Sequence, residues 1–266
     1  MNPRQLALEV LCITDPTAKA AAARQLQADF DPGALDTTAR LQPAADLPGR
    51  PAQPVLVPAQ AVPMRSPHTV EGRAALLHAV THIEFNAINL ALDAVWRFPD
   101  LPAAYYRDWL RVASEEARHY TLLREHLLTL GHDYGDFPAH DGLWVMTLRT
   151  AHDVTARMAL VPRTLEARGL DATPPMQAKL TRCGDLRAAE ILGIILRDEI
   201  GHVAIGNRWY RWLCERDRLD PLAHYAVLAR RHAAPRLRPP FNLVARRAAG
   251  FSEVELERLA EAGEAR

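Results

Sequence analysis

Two Glu-x-x-His pairs, each inside an apolar segment of helical periodicity, constrain the fold of this chain more than any other feature. Glu199 and His202 lie in the apolar run 191–205, and Glu116 and His119 lie in a second such run. Residues three apart share one face of a helix, so each pair points toward the core against which its helix packs. Because a buried, unpaired charge is costly, the fold must bring these groups to a compensating partner.

The composition allows a substantial core and gives no net charge. The 266 residues are 48% hydrophobic and include 32 basic and 32 acidic side chains. A formal charge of zero excludes a bulk electrostatic attraction to nucleic acid or to an acidic membrane. Only Lys19 and Lys179 are lysines, a skew that we attribute to genomic composition, so a cluster of arginines needs independent support before it indicates a function.

The cysteines and the hydropathy of the chain bear on its compartment. Cys12, Cys183 and Cys214 are scattered, without metal-ligand spacing, which is typical of a reducing environment. The sequence has no leader-like start and no uncharged apolar run of about 18 residues. We therefore expect a cytoplasmic protein that does not span a membrane.

Periodicity and helix-terminating residues divide the chain into three segments. Residues 1–68 contain two short helices and a proline-rich strap, which we expect to lie on the body because Val55, Leu56 and Val57 need cover. Residues 218–266 form a helical extension, with helices at about 221–232 and from Ser252 onward. Residues 69–217 contain four long helices, predicted at about 69–96, 103–130, 143–168 and 185–215.

Each of the four long helices carries a glutamate on its apolar face. The helical phase of 100° per residue places Glu84, Glu116, Glu166 and Glu199 within the apolar stripes of their helices. Four acids on four core-facing stripes indicate a polar site in the middle of a helix bundle.

The positions of the turns indicate that these acids also lie at equal heights. In an antiparallel hairpin, two residues are level when the turn lies midway between them. The midpoint between Glu84 and Glu116 is Asp100, in a proline-flanked turn, and that between Glu166 and Glu199 falls in the predicted connection from Gly169 to Gly184. The sequence thus predicts an all-α chain built on an antiparallel four-helix bundle with a long crossover.

Four carboxylates and two imidazoles at one level of an apolar core indicate a dinuclear metal site. A Glu from each of two helices and Glu-x-x-His from the other two is the ligand set of ferritin-like di-iron and di-manganese carboxylate proteins. Such ligands suit two iron ions, with manganese as an alternative. The predicted ligands are Glu84, Glu116, His119, Glu166, Glu199 and His202.

Further residues have predicted roles around the metals. Glu116 and Glu166 are candidates for bridging or shifting carboxylates, and therefore for catalysis. Glu115 and Asp198 each precede a ligand and are expected to accept the ring N–H of the histidine on the opposite helix. Pro162 is expected to kink the third helix or to form a bulge close to Glu166.

Two other polar patterns are not assigned to the metal site. The residues His78, His82, Asn86, Asn89 and Asp93 form a polar stripe on the side of the first long helix away from Glu84, and we interpret it as a polar face beneath the N-terminal strap.

The second pattern lies between Pro221 and Ser252, where there is no acidic residue. This segment contains six arginines, Arg230, Arg231, Arg236, Arg238, Arg246 and Arg247, of which the first four are the candidates for binding nucleic acid. A phosphate or RNA surface is one interpretation of this pattern, and a solvated surface is the interpretation that the arginine-rich composition favours.

Several segments resemble a bacterial ferritin-like family catalogued as a domain of unknown function (number 455). The resemblance extends from about residue 50 to Pro240-Phe241-Asn242 and implies a ferritin-like bundle with the same six ligands, but no established reaction. The segments that carry it are residues 71–78, 82–84, 97–100, 115–119, 166–171 and 198–203.

Three functions remain open at this stage. The first is a di-iron oxidoreductase that activates O₂ to oxidise or hydroxylate an unidentified small molecule, with an unidentified electron donor. The second is ferroxidase or iron storage with the same ligands, and the third is a non-enzymatic bundle that the metal stabilises. A homodimer is compatible with each of them.

Overall fold

The protein is all-α, as predicted. The computed structural model describes residues 1–264, and every regular element in this range is a helix, apart from one isolated bridge between Leu56 and Ala139. The chain forms two compact units, Met1–Trp144 and Val145–Arg266. The predicted division at residues 68 and 217 does not coincide with this boundary and stays a prediction.

Eleven α-helices and one π-helix follow one another within the described residues. The α-helices are α1 (Pro3–Cys12), α2 (Pro16–Ala28), α3 (Val70–Arg97), α4 (Ala103–Thr129), α5 (Gly142–Arg149), α6 (Val154–Leu160), α7 (Ala167–Arg182), α8 (Leu186–Arg216), α9 (Pro221–Arg231), α10 (Leu243–Ala248) and α11 (Glu253–Glu264). The π-helix, Val161–Glu166, lies between α6 and α7. No helix of residues 1–264 has both the length and the apolarity needed to cross a bilayer.

The hairpin of α3 and α4 is the centre of the first unit, and its predicted bounds are confirmed to within one residue. The hydroxyl of Thr69 accepts the N–H of Gly72 at 3.0 Å and caps the start of α3. Asp100 occupies the turn with a φ of 61°. The turn is therefore centred where the sequence placed it.

Backbone hydrogen bonds join the proline-rich strap to the connection that follows α4. Val57 N–H donates to the carbonyl of Ala139 at 2.8 Å, and Ala139 N–H donates to that of Val55 at 3.0 Å. The strap thus lies on the body as predicted, but the reason given for it was wrong, because Val55 and Leu56 are 53% and 40% exposed. Backbone pairing and the burial of Pro54 hold the strap instead.

The polar stripe of α3 is buried, and the half that contains Asn89 lies beneath the N-terminal segment as predicted, whereas His78 and His82 lie against the connection after α4. The ammonium of Lys19 on α2 donates to Asn89 Oδ1 and to the carbonyl of Gly49, both at 2.7 Å. Arg4 on α1 donates to the carbonyl of Trp96 at 2.8 Å. Asn89 and the last turn of α3 therefore hold the N-terminal helices in place, since buried polar groups need partners.

The third long helix is not continuous, which corrects the prediction of a helix over 143–168. It breaks after Arg149, and a new helix begins where the Asp153 carboxylate accepts the N–H of Ala156 at 2.9 Å. It then passes through the π-helix, so the bulge predicted at Pro162 is confirmed. Proline lacks the N–H of a normal helical turn, and the insertion of one residue accommodates this.

The same helix also extends past its predicted end at Gly169. Gly169 lies inside α7, and the positive φ that ends a helix occurs at Gly184, with a value of 80°. Asp185 then caps α8 by accepting the N–H of Ala188 at 3.0 Å, as expected. The turn of this hairpin is therefore shorter than predicted and lies at residues 183–185.

The C-terminal helices pack on α7 and α8 within the second unit. The predicted helices near Pro221 and after Ser252 are confirmed as α9 and α11, and Ser252 N–H donates to Glu255 at 2.8 Å in the expected capping box. The short α10 was not predicted. Its Arg246 is fully buried and pairs with Asp171 of α7 at 2.5 Å.

Candidate metal centre

In the first unit, α3 and α4 bring Glu84, Glu116 and His119 together in the core. All three side chains are buried. Glu84 belongs to the apolar face of α3, and one helical turn on α4 aligns Glu116 with His119. The equal distances of Glu84 and Glu116 from the turn at Asp100 place the two carboxylates side by side, as the sequence predicted.

The imidazole of His119 lies between the two carboxylates. Its Nδ1 is 3.1 Å from Glu84 Oε2 and 3.2 Å from Glu116 Oε2. Each of the three residues offers a ligand atom within 4.8 Å of the others, so this group has the geometry to hold a metal ion.

The electrostatics of this group are those of acids held away from water. Burial raises the pKa of Glu84 to about 7, and the neighbouring charge of Glu116 acts in the same direction, while His119 partly opposes the rise. A bound cation would lower this pKa again, because it stabilises the ionised carboxylate.

In the second unit, α8 presents Glu199 and His202 on one buried face. Nδ1 of His202 is 3.4 Å from Glu199 Oε1, and the other carboxylate oxygen of Glu199 is buried without a hydrogen-bond partner among the described residues. The second Glu-x-x-His pair thus has the form of the first, a carboxylate beside an imidazole nitrogen in an apolar environment.

Glu166 is the last residue of the π-helix and is half-buried. The π-helix packs against α8, where a Cβ on Gly206 would lie only 2.5 Å from Pro162. Thr164 shares a hydrogen bond of 2.8 Å with Tyr225 of α9. These contacts hold the π-helix, which ends at Glu166, against α8 and α9.

Arg163 is a further residue of the π-helix that sequence reasoning missed. Its guanidinium is buried, donates to Asn207 of α8 at 3.0 Å and forms an ion pair with Glu255 of α11. The rings of Tyr210, Tyr225 and Phe251 surround it, with centroids about 5 Å away. The sequence did show an arginine next to Pro162 in a core-facing segment. It did not show the partner of that arginine, because Glu255 is 92 residues away in sequence.

Glu115 and Asp198, which were predicted to accept hydrogen bonds from the ligand histidines, are less buried than the ligands they precede. Arg111 donates to Glu115 at 2.9 Å, and Nε of Arg197 lies 3.6 Å from Asp198. Their expected bonds to the opposite histidines stay a prediction.

The histidines of the polar stripe have other partners, in agreement with their exclusion from the site. His78 Nε2 accepts the N–H of Gly135 at 2.9 Å, and His82 Nδ1 is 2.9 Å from the Tyr134 hydroxyl. Burial lowers the pKa of both imidazoles to about 4, so the rings are neutral at physiological pH.

Comparison with known proteins yields a family and one relative. The family model described as "Protein of unknown function (DUF455)" matches residues 12–257. A protein of Haemophilus influenzae, described as uncharacterized, is 50% identical over 230 residues, which cover 84% of this chain and 80% of that protein. No solved structure matches the chain significantly.

Proposed function

The chain belongs to the DUF455 family, as its sequence segments indicated, and we propose that it is a di-iron protein that uses O₂ to oxidise an organic molecule. In this proposal the protein binds two iron ions, with manganese as the alternative. The proposed ligands are Glu84, Glu116, His119, Glu166, Glu199 and His202.

The observation that carries this proposal is the buried group of Glu84, Glu116 and His119. Two carboxylates held in an apolar core repel each other, and a divalent cation would remove both this repulsion and the cost of burial. Oxygen and nitrogen donors of this kind suit iron and manganese. The nitrogen of His119 that faces both carboxylates is the one that would bind the cation.

Residues of the second unit are the other three proposed ligands, Glu166, Glu199 and His202. Glu199 and His202 repeat the pair on α4, and the turn at Gly184 lies midway between Glu166 and His202. Glu166 is therefore level with the Glu-x-x-His turn of α8. We propose that α3, α4, α8 and the helix containing Glu166 are the four helices of a ferritin-like bundle.

The chemistry that bound iron supplies is the activation of O₂ for oxidation or hydroxylation of the substrate. The residues of the chain hold the ions, exclude water from them and balance their charge. We assign bridging or changes of coordination to Glu116 and Glu166, because Glu166 lies at the end of a π-helix, an element that is frequent at functional sites. A substrate and an electron donor are required, and the chemistry of the ligands does not specify either.

Ferroxidase activity with the same ligands is the alternative. The contacts of α9 and α11 with the π-helix favour the oxidoreductase, because they make the C-terminal extension part of the surroundings of Glu166. A storage protein would form a large hollow assembly and turn over iron without an organic substrate, so assembly size and iron turnover distinguish the two functions.

The test is anaerobic loading with Fe(II), followed by metal counting and exposure to O₂. We expect about two irons per chain, a Mössbauer spectrum that changes from ferrous to ferric, and O₂ uptake. Glu199→Ala should lose iron, whereas Glu190→Ala, at an exposed position of the same helix, should bind as much as the wild type. Equal iron content in both variants, or iron that does not react with O₂, would contradict the proposal.

A further inference from the structure

The segment between Pro221 and Ser252 has an unusual charge pattern that the metal centre does not explain. With 32 acidic residues in 266, a segment of this length would contain about four, yet it contains none. Genomic composition accounts for arginine in place of lysine, but it does not account for the absence of acids. The segment thus carries six positive charges, whereas the rest of the chain, with 26 basic and 32 acidic residues, has a net charge of −6.

The structure separates its six arginines into two groups. Arg246 is buried against Asp171, and Arg247 pairs with Glu253 at 2.6 Å. The other four, Arg230, Arg231, Arg236 and Arg238, are exposed and have no carboxylate partner among the described residues.

A fifth guanidinium lies at the same end of α9. Arg149 is exposed and donates to the carbonyl of His232 at 3.3 Å, which places it beside the last turn of the helix. It also has no carboxylate partner within residues 1–264. We call these five residues, Arg149, Arg230, Arg231, Arg236 and Arg238, the arginine surface.

The chain that carries Arg236 and Arg238 is restricted by prolines on both sides. Pro235, Pro239 and Pro240 fix the backbone φ, so less conformational entropy is lost when these side chains are held by a ligand. Arg236 and Arg238 are exposed while Leu237 between them is half-buried, the pattern of an extended segment that presents both guanidiniums to solvent.

We propose that the arginine surface binds the phosphodiester backbone of RNA. Guanidinium forks match phosphate oxygens bidentately, and several of them along one surface suit a polyanion better than a single phosphate. Between Arg230 and Pro240 the one large apolar side chain, Leu237, is half-buried, so this stretch supplies no apolar anchor for a membrane. Leu148, next to Arg149, and Val227 are exposed, and the vesicle measurement below tests the membrane as an alternative. The binding is to the backbone and does not depend on base sequence.

The experiment measures the binding of a fluorescein-labelled 20-nucleotide RNA of mixed sequence to the full-length protein by anisotropy, from 50 to 200 mM KCl. Five phosphate contacts on a single strand predict a slope of log affinity against log salt of about −3.5. The fourfold variant Arg230→Gln, Arg231→Gln, Arg236→Gln, Arg238→Gln should bind at least about tenfold more weakly, with a slope near −1.

A matched control removes four exposed arginines that have carboxylate partners. The substitutions are Arg40→Gln, Arg187→Gln, Arg216→Gln and Arg247→Gln. The two variants have the same net charge, so only the loss of specific contacts makes them differ. The control should retain the slope of the wild type, and circular dichroism should show both variants folded.

Three results would overturn the proposal: no binding of RNA by the wild type at 50 mM KCl, equal losses in the two variants, or binding to anionic phospholipid vesicles with no binding to RNA. Because the measurement needs no metal, its outcome is independent of that of the iron-loading test.

Discussion

Lys19 is a lysine with no solvent exposure, at the junction of α2, the strap and α3. Burial lowers the pKa of its ammonium to about 7, and the charge of Arg50 acts in the same direction. Its two acceptors, Asn89 and the carbonyl of Gly49, belong to different segments of the first unit. Lys19 therefore holds the N-terminal segment in place and also links its stability to pH.

The sign of this pH dependence follows from the pKa of Lys19 in the folded and in the unfolded chain. An unfolded lysine has a pKa of about 10.4, so between pH 7 and about 10 the unfolded chain binds the additional proton and stability rises with pH. We expect the free energy of unfolding in urea to increase from pH 7 to pH 9. Lys19→Met should remove this contribution, whereas Lys179→Met, which replaces the exposed second lysine, should not. An identical pH slope in the wild type and Lys19→Met would contradict the assignment.

At the scale of elements, the π-helix links Glu166 to the C-terminal helices through the ion pair of Arg163 and Glu255. Breaking one side of a buried pair leaves an uncompensated charge and costs about 3–5 kcal/mol. Glu255→Ala should therefore lower the free energy of unfolding by roughly that amount and reduce the iron bound per chain, since the π-helix would no longer be held.

The control for this prediction lies on the same helix. Glu253 pairs with Arg247 in an exposed position, where solvent screening leaves an ion pair with little effect on stability. Glu253→Ala should leave stability and iron content close to those of the wild type. Similar losses in the two variants would show that α11 acts as a whole and not through Glu255.

The path of α7 gives a second prediction at this scale. Gly169 lies within the helix, and a Cβ there would have no heavy atom within 4 Å outside the local backbone. Gly169→Ala should therefore stabilise the protein by about 0.5–1 kcal/mol, because glycine loses more backbone entropy in a helix than alanine. Destabilisation, measured by urea unfolding, would indicate that a helix ends at Gly169.

Gly206 is the contrasting glycine. Its hydrogen leaves room for Pro162, and a Cβ would overlap that ring at 2.5 Å. Gly206→Ala should destabilise the packing of the π-helix on α8 and lower the unfolding midpoint.

At the scale of the whole molecule, the proposed centre takes its ligands from helices that are distant in sequence. Mn(II), which has the same ligand preference and does not react with O₂ in the same way as Fe(II), should raise the thermal midpoint of the protein. At 100 times the dissociation constant, a ligand that binds only the folded state adds about 2.7 kcal/mol.

Glu84→Gln in the first unit and Glu199→Gln in the second should each abolish most of this shift, whereas Glu190→Gln should retain it. If only one of the two ligand variants lost the shift, the metal would be bound by one unit alone.

The sequence by itself determined the helical class, the ends of α3, α4 and α8, and the faces that carry Glu84, Glu116 and Glu199. These properties depend on local periodicity, on capping residues such as Thr69 and on turn residues, which act within a few positions along the chain.

The break after Arg149, the π-helix and the continuation of α7 past Gly169 were decided by tertiary structure. Pro162 made a distortion necessary, but its form depends on Gly206 and on the partners of Arg163, which are distant in sequence. Glycine is tolerated in the interior of a helix when packing outweighs its entropy cost, so Gly169 alone did not reveal where α7 ends. The pairing of Arg246 and Arg247 with acids, which separates them from the arginine surface, likewise depends on contacts that no local pattern encodes.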